Sequence, residues 1–137
     1  HLMSLAQELG CSDRTRFLGF RKDIKELYRQ ASVFVLSSRY EGFGLVLIEA
    51  MSQGCAPIAC DYKGRQKEIL GSEDNGIVCE PEDVDGLSNA ICLVVKNDDL
   101  RHQMQQHALE RSRYYSVENS VRRWECLITR VCDKTKV

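Results

Sequence analysis

The sequence predicts a doubly wound α/β domain, with a parallel sheet covered by helices on both faces. Its 137 residues are about the length of one domain. Short apolar runs occur at "VFVL" (33–36), "PIAC" (57–60) and "GIVCE" (76–80), as in strands buried on both faces. Segments with helical periodicity separate and follow these runs. Strands that alternate with helices favour right-handed crossovers and therefore a parallel sheet.

The chain before the first buried strand is predicted to contain two helices and one short strand. In order, they are a helix at 4–10, a strand "TRFLGF" at 15–20, and a helix at 22–32. Ile24, Leu27, Tyr28 and Ala31 recur at helical spacing in the second helix. Residues 1–3 resemble a cloning remnant, so we expect the domain to span residues 4–137.

The remaining helices follow the buried strands. One is predicted from about Gly44 to Gln53, where Gly54 stops it, and a short one is predicted at 65–70. Three amphipathic helices then close the chain, at 83–95, 98–113 and 117–132. Ser116 is the expected N-cap of the last helix. We expect Trp124 on its apolar stripe to pack in the core or against another domain.

Composition excludes several classes of protein. The chain carries 19 Lys and Arg against 20 Asp and Glu, a balance that suggests neither a nucleic acid nor an anionic membrane as partner. No apolar run approaches the roughly 18 residues of a membrane span. Cys55 and Cys60 lack the second ligand pair of a zinc site. We therefore predict reduced thiols in a cytoplasmic protein, without a metal.

The segment "SSRYEGFGLVLIEAM" (37–51) is the predicted ligand site. It follows a buried strand, and parallel sheets bind ligands at the carboxyl ends of their strands. Gly42 and Gly44 allow a sharp turn and a close approach of a ligand. The amides near Phe43 to Leu45 have no partner within the helix and lie at the positive end of its dipole. This arrangement favours phosphate.

Two acids in this segment call for different explanations. Glu41 lies in the loop, whereas Glu49 lies in a helix that is otherwise apolar and that we expect to be mostly buried. An unpaired buried carboxylate would cost several kcal/mol or become protonated. Its partner could be an arginine, backbone amides or the vicinal hydroxyls of a sugar. The residues alone leave open whether both acids are structural or bind a ligand.

The stretch "EGFGLVLIEAMSQGCAPIACD" resembles the E-x7-E segment of retaining glycosyltransferases of GT-B architecture, in the group 1 or family 4-like class. Three further stretches resemble its neighbours in the same order: "FLGFRKDIKELYRQASVFVLSS", "NGIVCEPEDVDGLSNAI" and "LERSRYYSVENSVRRWECLI". The resemblance covers nearly the whole chain. It implies the Rossmann-like, carboxyl-terminal, donor-binding domain of a two-domain enzyme, with the amino-terminal acceptor domain absent.

The resemblance also implies roles for individual residues. Glu41 would lie at the reaction centre beside the donor sugar, and Gly42 to Leu45 would offer amides to its hydroxyls and phosphates. Glu49 would bind the ribose hydroxyls of the nucleotide. Phe20 and Arg21 would border the nucleobase. No metal ligand is implied.

The implied substrate is a nucleotide-diphosphate sugar, with UDP the favoured base and GDP or ADP left open, and with no other cofactor. The acceptor would be a saccharide or a lipid-linked glycan, reached through the absent domain. The intact enzyme would be cytoplasmic or peripheral at the inner face of a membrane. The present chain is expected to bind nucleotide weakly and to transfer nothing. The sequence departs from the family pattern at Ser37, usually Pro, and in the basic stretch "YKGRQKE" (62–68).

Other functions remain as alternatives. One is a non-catalytic nucleotide-binding or interaction module of the same fold. Another is a fragment of an NAD-dependent oxidoreductase, because "GFGLVL" begins like G-x-G-x-x-G and Asp61 could bind a ribose, although Leu47 replaces the third glycine. "DVD" (83–85) has the form of a metal-binding motif but opens a helix, where acids cap. His102 and His107 are expected on a polar surface.

Overall fold

The computed structural model describes residues 1–134 and has a three-stranded parallel sheet. The strands are β1 Val33–Leu36, β2 Ala56–Cys60 and β3 Ile77–Cys79, and they lie in the order β1-β2-β3. Val33 pairs with Ala56, and Ile58 pairs with Ile77. The predicted α/β class and parallel sheet are confirmed, and all three carboxyl ends lie on the same edge.

The seven helices of the described chain lie close to their predicted positions. They are α1 Leu2–Glu8, α2 Ile24–Gln30, α3 Leu45–Ser52, α4 Arg65–Leu70, α5 Val84–Lys96, α6 Asp98–Ser112 and α7 Val117–Lys134. Short 3-10 turns occur at Ser12–Arg14, Glu73–Asn75 and Arg113–Tyr115. The predicted N-cap of α7 is confirmed, because the Asn119 amide donates to Ser116 Oγ at 3.2 Å.

The prediction of a strand at 15–20 is wrong. Among the described residues β1 pairs only with β2, and residues 15–20 pair with no strand. A strand must satisfy its backbone N–H and C=O groups on a neighbour, so an extended apolar sequence does not suffice. Phe17 and Leu18 are accordingly exposed.

Two core clusters cover the two faces of the sheet. One joins the sheet to α3, α4 and the end of α6 through Leu36, Leu47, Met51, Ala59, Ile69, Leu70 and Ala108. The other joins it to α5 and the start of α6 through Ala56, Ile58, Cys60, Cys79, Ala90, Val94 and Met104. Helix α6 contributes to both clusters. It reaches the amino end of β1, where Gln105 Nε2 donates to the Ser32 carbonyl at 3.1 Å.

Helix α7 differs from the other long helices because its apolar stripe is exposed. Its members are Val117, Val121, Trp124, Leu127, Ile128 and Val131. The expectation that Trp124 packs in the core is wrong within the described chain, since 64% of its surface is exposed. Packing against another domain stays a prediction. No helix in residues 1–134 combines the length and apolarity that a membrane span requires.

Candidate functional site

The loops that follow the three strands form one surface at the carboxyl edge of the sheet. The β1 loop (residues 37–44) reaches both of the others. Its Arg39 forms an ion pair with Glu82, beyond β3, at 3.3 Å. The rings of Tyr40 and Tyr62, which follows β2, meet edge-to-face with centroids 5.6 Å apart. These contacts join the predicted ligand segment to the loops that follow the other two strands.

Gly44 sets the geometry at the start of α3. It is the N-cap, with φ of +89°, in the left-handed region that side chains rarely adopt. A Cβ at this position would lie 3.3 Å from Ile69 Cδ1. The Leu47 amide donates to the Gly44 carbonyl at 2.9 Å, whereas the amides of Leu45 and Val46 precede the first helical bond. The helix start therefore offers free donors at its positive end.

Two polar side chains after β2, Asp61 and Gln66, have buried atoms without hydrogen-bond partners among the described residues. Gln66, in α4, is fully buried, and its Oε1 accepts from the Tyr62 amide at 2.6 Å. Its Nε2 is 3.8 Å from the position of a Cβ on Gly44 and has no partner among the described residues. Asp61 Oδ2 accepts from the Gly64 amide at 3.0 Å, while its Oδ1 is buried without a partner there. Gln66 Nε2, beside the helix start, and Asp61 Oδ1, in the loop after β2, are thus buried without hydrogen bonds among the described residues, which is costly.

Helix α3 is only half buried, which corrects the expectation that it is mostly buried. Leu47, Ala50 and Met51 face the core, whereas Leu45 and Glu49 lie on an uncovered outer face. Glu49 therefore needs no partner within the protein, because water solvates its carboxylate. Burial raises the pKa of the neighbouring Tyr28 hydroxyl, and the charge of Glu49 raises it further.

Glu41 is half-buried in the β1 loop, just before the start of α3. Within residues 1–134 the structure records no ion pair and no hydrogen bond for its carboxylate. Glu41 and Glu49 therefore flank the free amides of the helix start in sequence, and neither is consumed by an internal ion pair. Carboxylate oxygens in this state can accept hydrogen bonds from a hydroxylated ligand.

The residues predicted to border a nucleobase are placed differently from each other. Phe20 is 90% exposed. Arg21 is engaged with Asp23, just before α2, where its Nε donates to Asp23 Oδ1 at 2.7 Å. This pairing raises the pKa of Arg21 and lowers that of Asp23. Phe20 is thus open to a ligand, whereas Arg21 would first have to exchange its partner.

The other polar motifs have local structural roles. Asp83 caps α5, since its Oδ1 accepts from the Gly86 amide at 2.8 Å, and this confirms the capping interpretation of "DVD". His102 and His107 are exposed on α6, beside Gln105 and the carbonyl of Asp74. In the part of the chain that the structure describes, no group of three metal-ligating side chains occurs.

Sequence reasoning missed the residues that join α4 to the end of α6. Arg111 donates to the carbonyls of Glu68 and Ile69, each at 2.8 Å, and so satisfies the carboxyl end of α4. The Phe43 ring meets the ring of Tyr115 at 6.2 Å, which ties the β1 loop to the same junction. The arginine and tyrosine residues of "ERSRYY" (110–115) were the available signal, but only as local positive charge.

Comparison with known proteins gives consistent matches. Residues 1–111 match the family described as Glycosyl transferases group 1. The O-antigen chain mannosyltransferase B of Escherichia coli is 38% identical over 106 residues, which are 76% of this chain and 27% of that protein.

Solved structures resemble the fold over most of the chain. Sucrose-phosphate synthase from Thermosynechococcus elongatus superposes with a TM-score of 0.81 and 28% identity, over 97% of this chain and 34% of that one. Anabaena HepE in complex with UDP superposes with a TM-score of 0.83 and 27% identity, over 93% of this chain and 36% of that one. HepE has also been solved with UDP-glucose. The chain thus spans about a third of the length of these proteins or less.

Proposed function

The chain belongs to the group 1 glycosyltransferases, and from that premise we propose that it binds the nucleotide-sugar donor of a retaining enzyme of this family. Its structural neighbours are GT-B glycosyltransferases, and its Rossmann-like sheet has the same class of fold. The observation that carries the proposal is the start of α3. There, free amides on a left-handed glycine cap lie between two carboxylates in sequence, and within residues 1–134 neither carboxylate forms an ion pair.

The diphosphate of the donor is the group best suited to the amides of Leu45 and Val46. Helix N-termini bind phosphate through free N–H groups and through the helix dipole. When the bond from the sugar to the diphosphate breaks, negative charge grows on the leaving phosphate. Donors that are already aligned stabilise that charge without reorganising, which is the electrostatic route to a lower barrier.

The two acids would then divide the remaining work. Glu49 is exposed beside the helix start, and its two oxygens can accept from the two vicinal hydroxyls of a ribose. Glu41, in the β1 loop, would orient the donor sugar and stabilise positive charge that develops on it. Gly42 and Phe43 would let the backbone approach the sugar closely. Phe20 offers an exposed ring to the base.

We take UDP as the donor nucleotide, because HepE, a structural neighbour, has been solved with UDP and with UDP-glucose. The acceptor, a saccharide or a lipid-linked glycan, would be bound by a second, acceptor-binding domain, and this chain spans only about a third of the length of its structural neighbours. We therefore propose that the chain by itself binds the donor weakly and transfers no sugar.

The test is a titration of the chain with UDP, GDP, ADP and NAD, followed by amide chemical shifts. UDP should shift the amides of residues 42–46 most. Glu49→Ala should weaken UDP binding by roughly 10- to 100-fold, since a hydrogen bond to a charged group contributes roughly 1.5–3 kcal/mol. The matched control is Glu110→Ala, an exposed helix acid on α6. Shifts elsewhere, or equal binding by both variants, would contradict the proposal, and tighter binding of NAD would favour an oxidoreductase.

Catalysis is tested separately in an intact enzyme that contains this domain. Glu41→Gln should abolish most sugar transfer while leaving UDP affinity within about twofold, because Glu41 is assigned to the sugar and Glu49 to the ribose. Intact transfer by that variant would support a non-catalytic role for Glu41.

A further inference from the structure

A cleft of about 320 Å³ opens beside the β1 loop on the side of α3 that faces α4 and the start of α7. Glu49 does not line it. Its walls include Phe43, Leu45, Glu68, Tyr114, Tyr115 and Arg123. A cleft of this size lies at the small end of ligand-binding pockets, which run from about 300 to 1,000 Å³.

One wall of the cleft is apolar. Phe43 is 39% exposed, and its ring meets Tyr115 at an interplanar angle of 71°, which fixes its orientation. Leu45 is still more exposed, and Ile48 completes this side of the cleft. Exposed apolar side chains beside a cleft indicate a surface that is covered when a partner binds.

The cleft is also lined by Arg123, whose guanidinium is held by contacts within the protein. The guanidinium of Arg123 stacks on the Tyr114 ring at 4.1 Å, and Arg111 lies over the same ring at 4.7 Å. Arg123 Nε donates to the Asn119 carbonyl at 3.3 Å, and its Nη2 donates to Ser120 Oγ at 3.3 Å. Because these contacts hold the planar group in one orientation, its donors need no ordering when a ligand arrives.

The same cleft contains a free acceptor. Glu68 is exposed on α4, and no ion pair of its carboxylate is found in the described residues, although Arg123 lines the same cleft. Arg111 binds the backbone carbonyl of Glu68 and so fixes the α4 terminus from which this side chain extends. The N–H groups of Arg123 that its internal hydrogen bonds do not use and the carboxylate of Glu68 therefore line one cleft together with an apolar wall.

We propose that this cleft is a saccharide subsite that binds a pyranose ring other than the donor sugar. A pyranose presents a C–H face to an apolar wall and a rim of hydroxyls that both donate and accept. Glu68 would accept from two adjacent hydroxyls, and Arg123 would donate to others. An anionic ligand fits less well, because Glu68 would repel it. The inference rests on the proposed function, which makes glycans the substrates.

The experiment uses the chain with three neutral probes at millimolar concentration: methyl α-mannopyranoside, methyl α-glucopyranoside and N-acetylglucosamine. Amide shifts are followed for each, and UDP is titrated in the same samples. At least one sugar should shift the amides of Phe43, Glu68, Tyr115 and Arg123. Glu68→Gln should weaken that binding about tenfold, and Arg123→Lys should also weaken it. Glu110→Gln is the matched control, with no expected change.

Both test positions are exposed, so unchanged shifts in the sheet will show that the variants fold. The inference is overturned if no probe shifts these amides, if shifts are confined to residues 37–42 and 49, or if Glu68→Gln binds as the parent does. Its failure differs from failure of the proposed function. Loss of sugar binding with intact UDP binding removes only the subsite, whereas absence of UDP binding removes the donor site.

Discussion

Helices α3 and α7 both expose more apolar surface than a helix packed in a finished core, yet their surroundings differ. Helix α3 buries Leu47, Ala50 and Met51 completely and exposes Leu45 beside free amides and two carboxylates. The apolar stripe of α7 is exposed along its described length, whereas Ser120 and Arg123 near the start of this helix line the 320 Å³ cleft. We therefore interpret the exposed apolar side chains of α3 as part of the proposed ligand site, and we propose that another protein domain covers the stripe of α7.

The largest expected difference in stability is between the same substitution, Leu to Ala, made on α3 and on α7. Leu47→Ala should destabilise the chain by about 3 kcal/mol, because it removes a fully buried side chain and leaves a cavity. Leu127→Ala, the same change on the exposed stripe of α7, should cost less than about 0.5 kcal/mol. Urea unfolding measures both. Equal losses of stability would mean that the stripe of α7 is covered in solution, and the two helices would then not differ in burial as described.

Glycine substitutions in the β1 loop test the start of α3 on its own. Gly44→Ala should cost about 1–2 kcal/mol, because it forces a Cβ into the left-handed region and towards Ile69. It should also weaken UDP binding, since the free amides would move. Gly42→Ala is the matched control, because Gly42 has no positive φ and open space at its Cβ position. We expect its unfolding free energy to change by less than about 0.5 kcal/mol, and equal effects at the two glycines would argue against a special cap.

The sequence predicted the elements whose signal is local. The apolar runs at 33–36 and 57–60 and the periodic helices were predicted correctly, because strand and helix propensity act over a few residues. The strand at 15–20 could not be judged in this way, since a strand depends on a neighbour that lies elsewhere in the chain.

The candidate site, too, was predicted only where the signal is local. Glu41 and Gly44 could be placed from sequence, because a loop after a buried strand has a known position in a parallel sheet. The exposure of Glu49 could not, since periodicity says which residues share a face but not what covers that face. Gln66 and Arg111 were missed because their contacts join segments that only the fold brings together.

A smaller loss of stability should appear in alkaline solution. Burial raises the pKa of the thiols of Cys55, Cys60 and Cys79, so they stay neutral in the folded state at a pH that ionises them in the unfolded state. Their contribution to stability is complete below the ordinary thiol pKa and is lost as the pH rises above it. Urea unfolding at pH 7 and at about pH 10 should show a lower free energy of unfolding at the higher pH.

Variants of a buried and an exposed cysteine test whether the buried thiols cause the loss of stability at high pH. Cys79→Ala should reduce the difference in unfolding free energy between the two pH values. Cys126→Ser, on the exposed surface of α7, should leave that difference unchanged. An unchanged difference in Cys79→Ala would mean that other groups cause the loss, with Tyr28 and Tyr115 as the next candidates, because burial raises their pKa as well.

The smallest expected change in the unfolding free energy of this chain is for Trp124→Ala. Comparing it with the intact enzyme tests whether another domain covers the apolar stripe of α7. With 64% of its surface exposed, Trp124→Ala should change the unfolding free energy of this chain by less than about 0.5 kcal/mol. In an intact enzyme that contains this domain, the same variant should cost more than 2 kcal/mol, because burying a tryptophan on another domain makes its removal expensive. A large loss in the present chain that depends on protein concentration would instead mean that a second copy covers the stripe. Equal small losses of unfolding free energy in both proteins would mean that solvent covers the stripe of α7 in the intact enzyme too. The stripe would then not be a protein-binding surface that distinguishes α7 from α3.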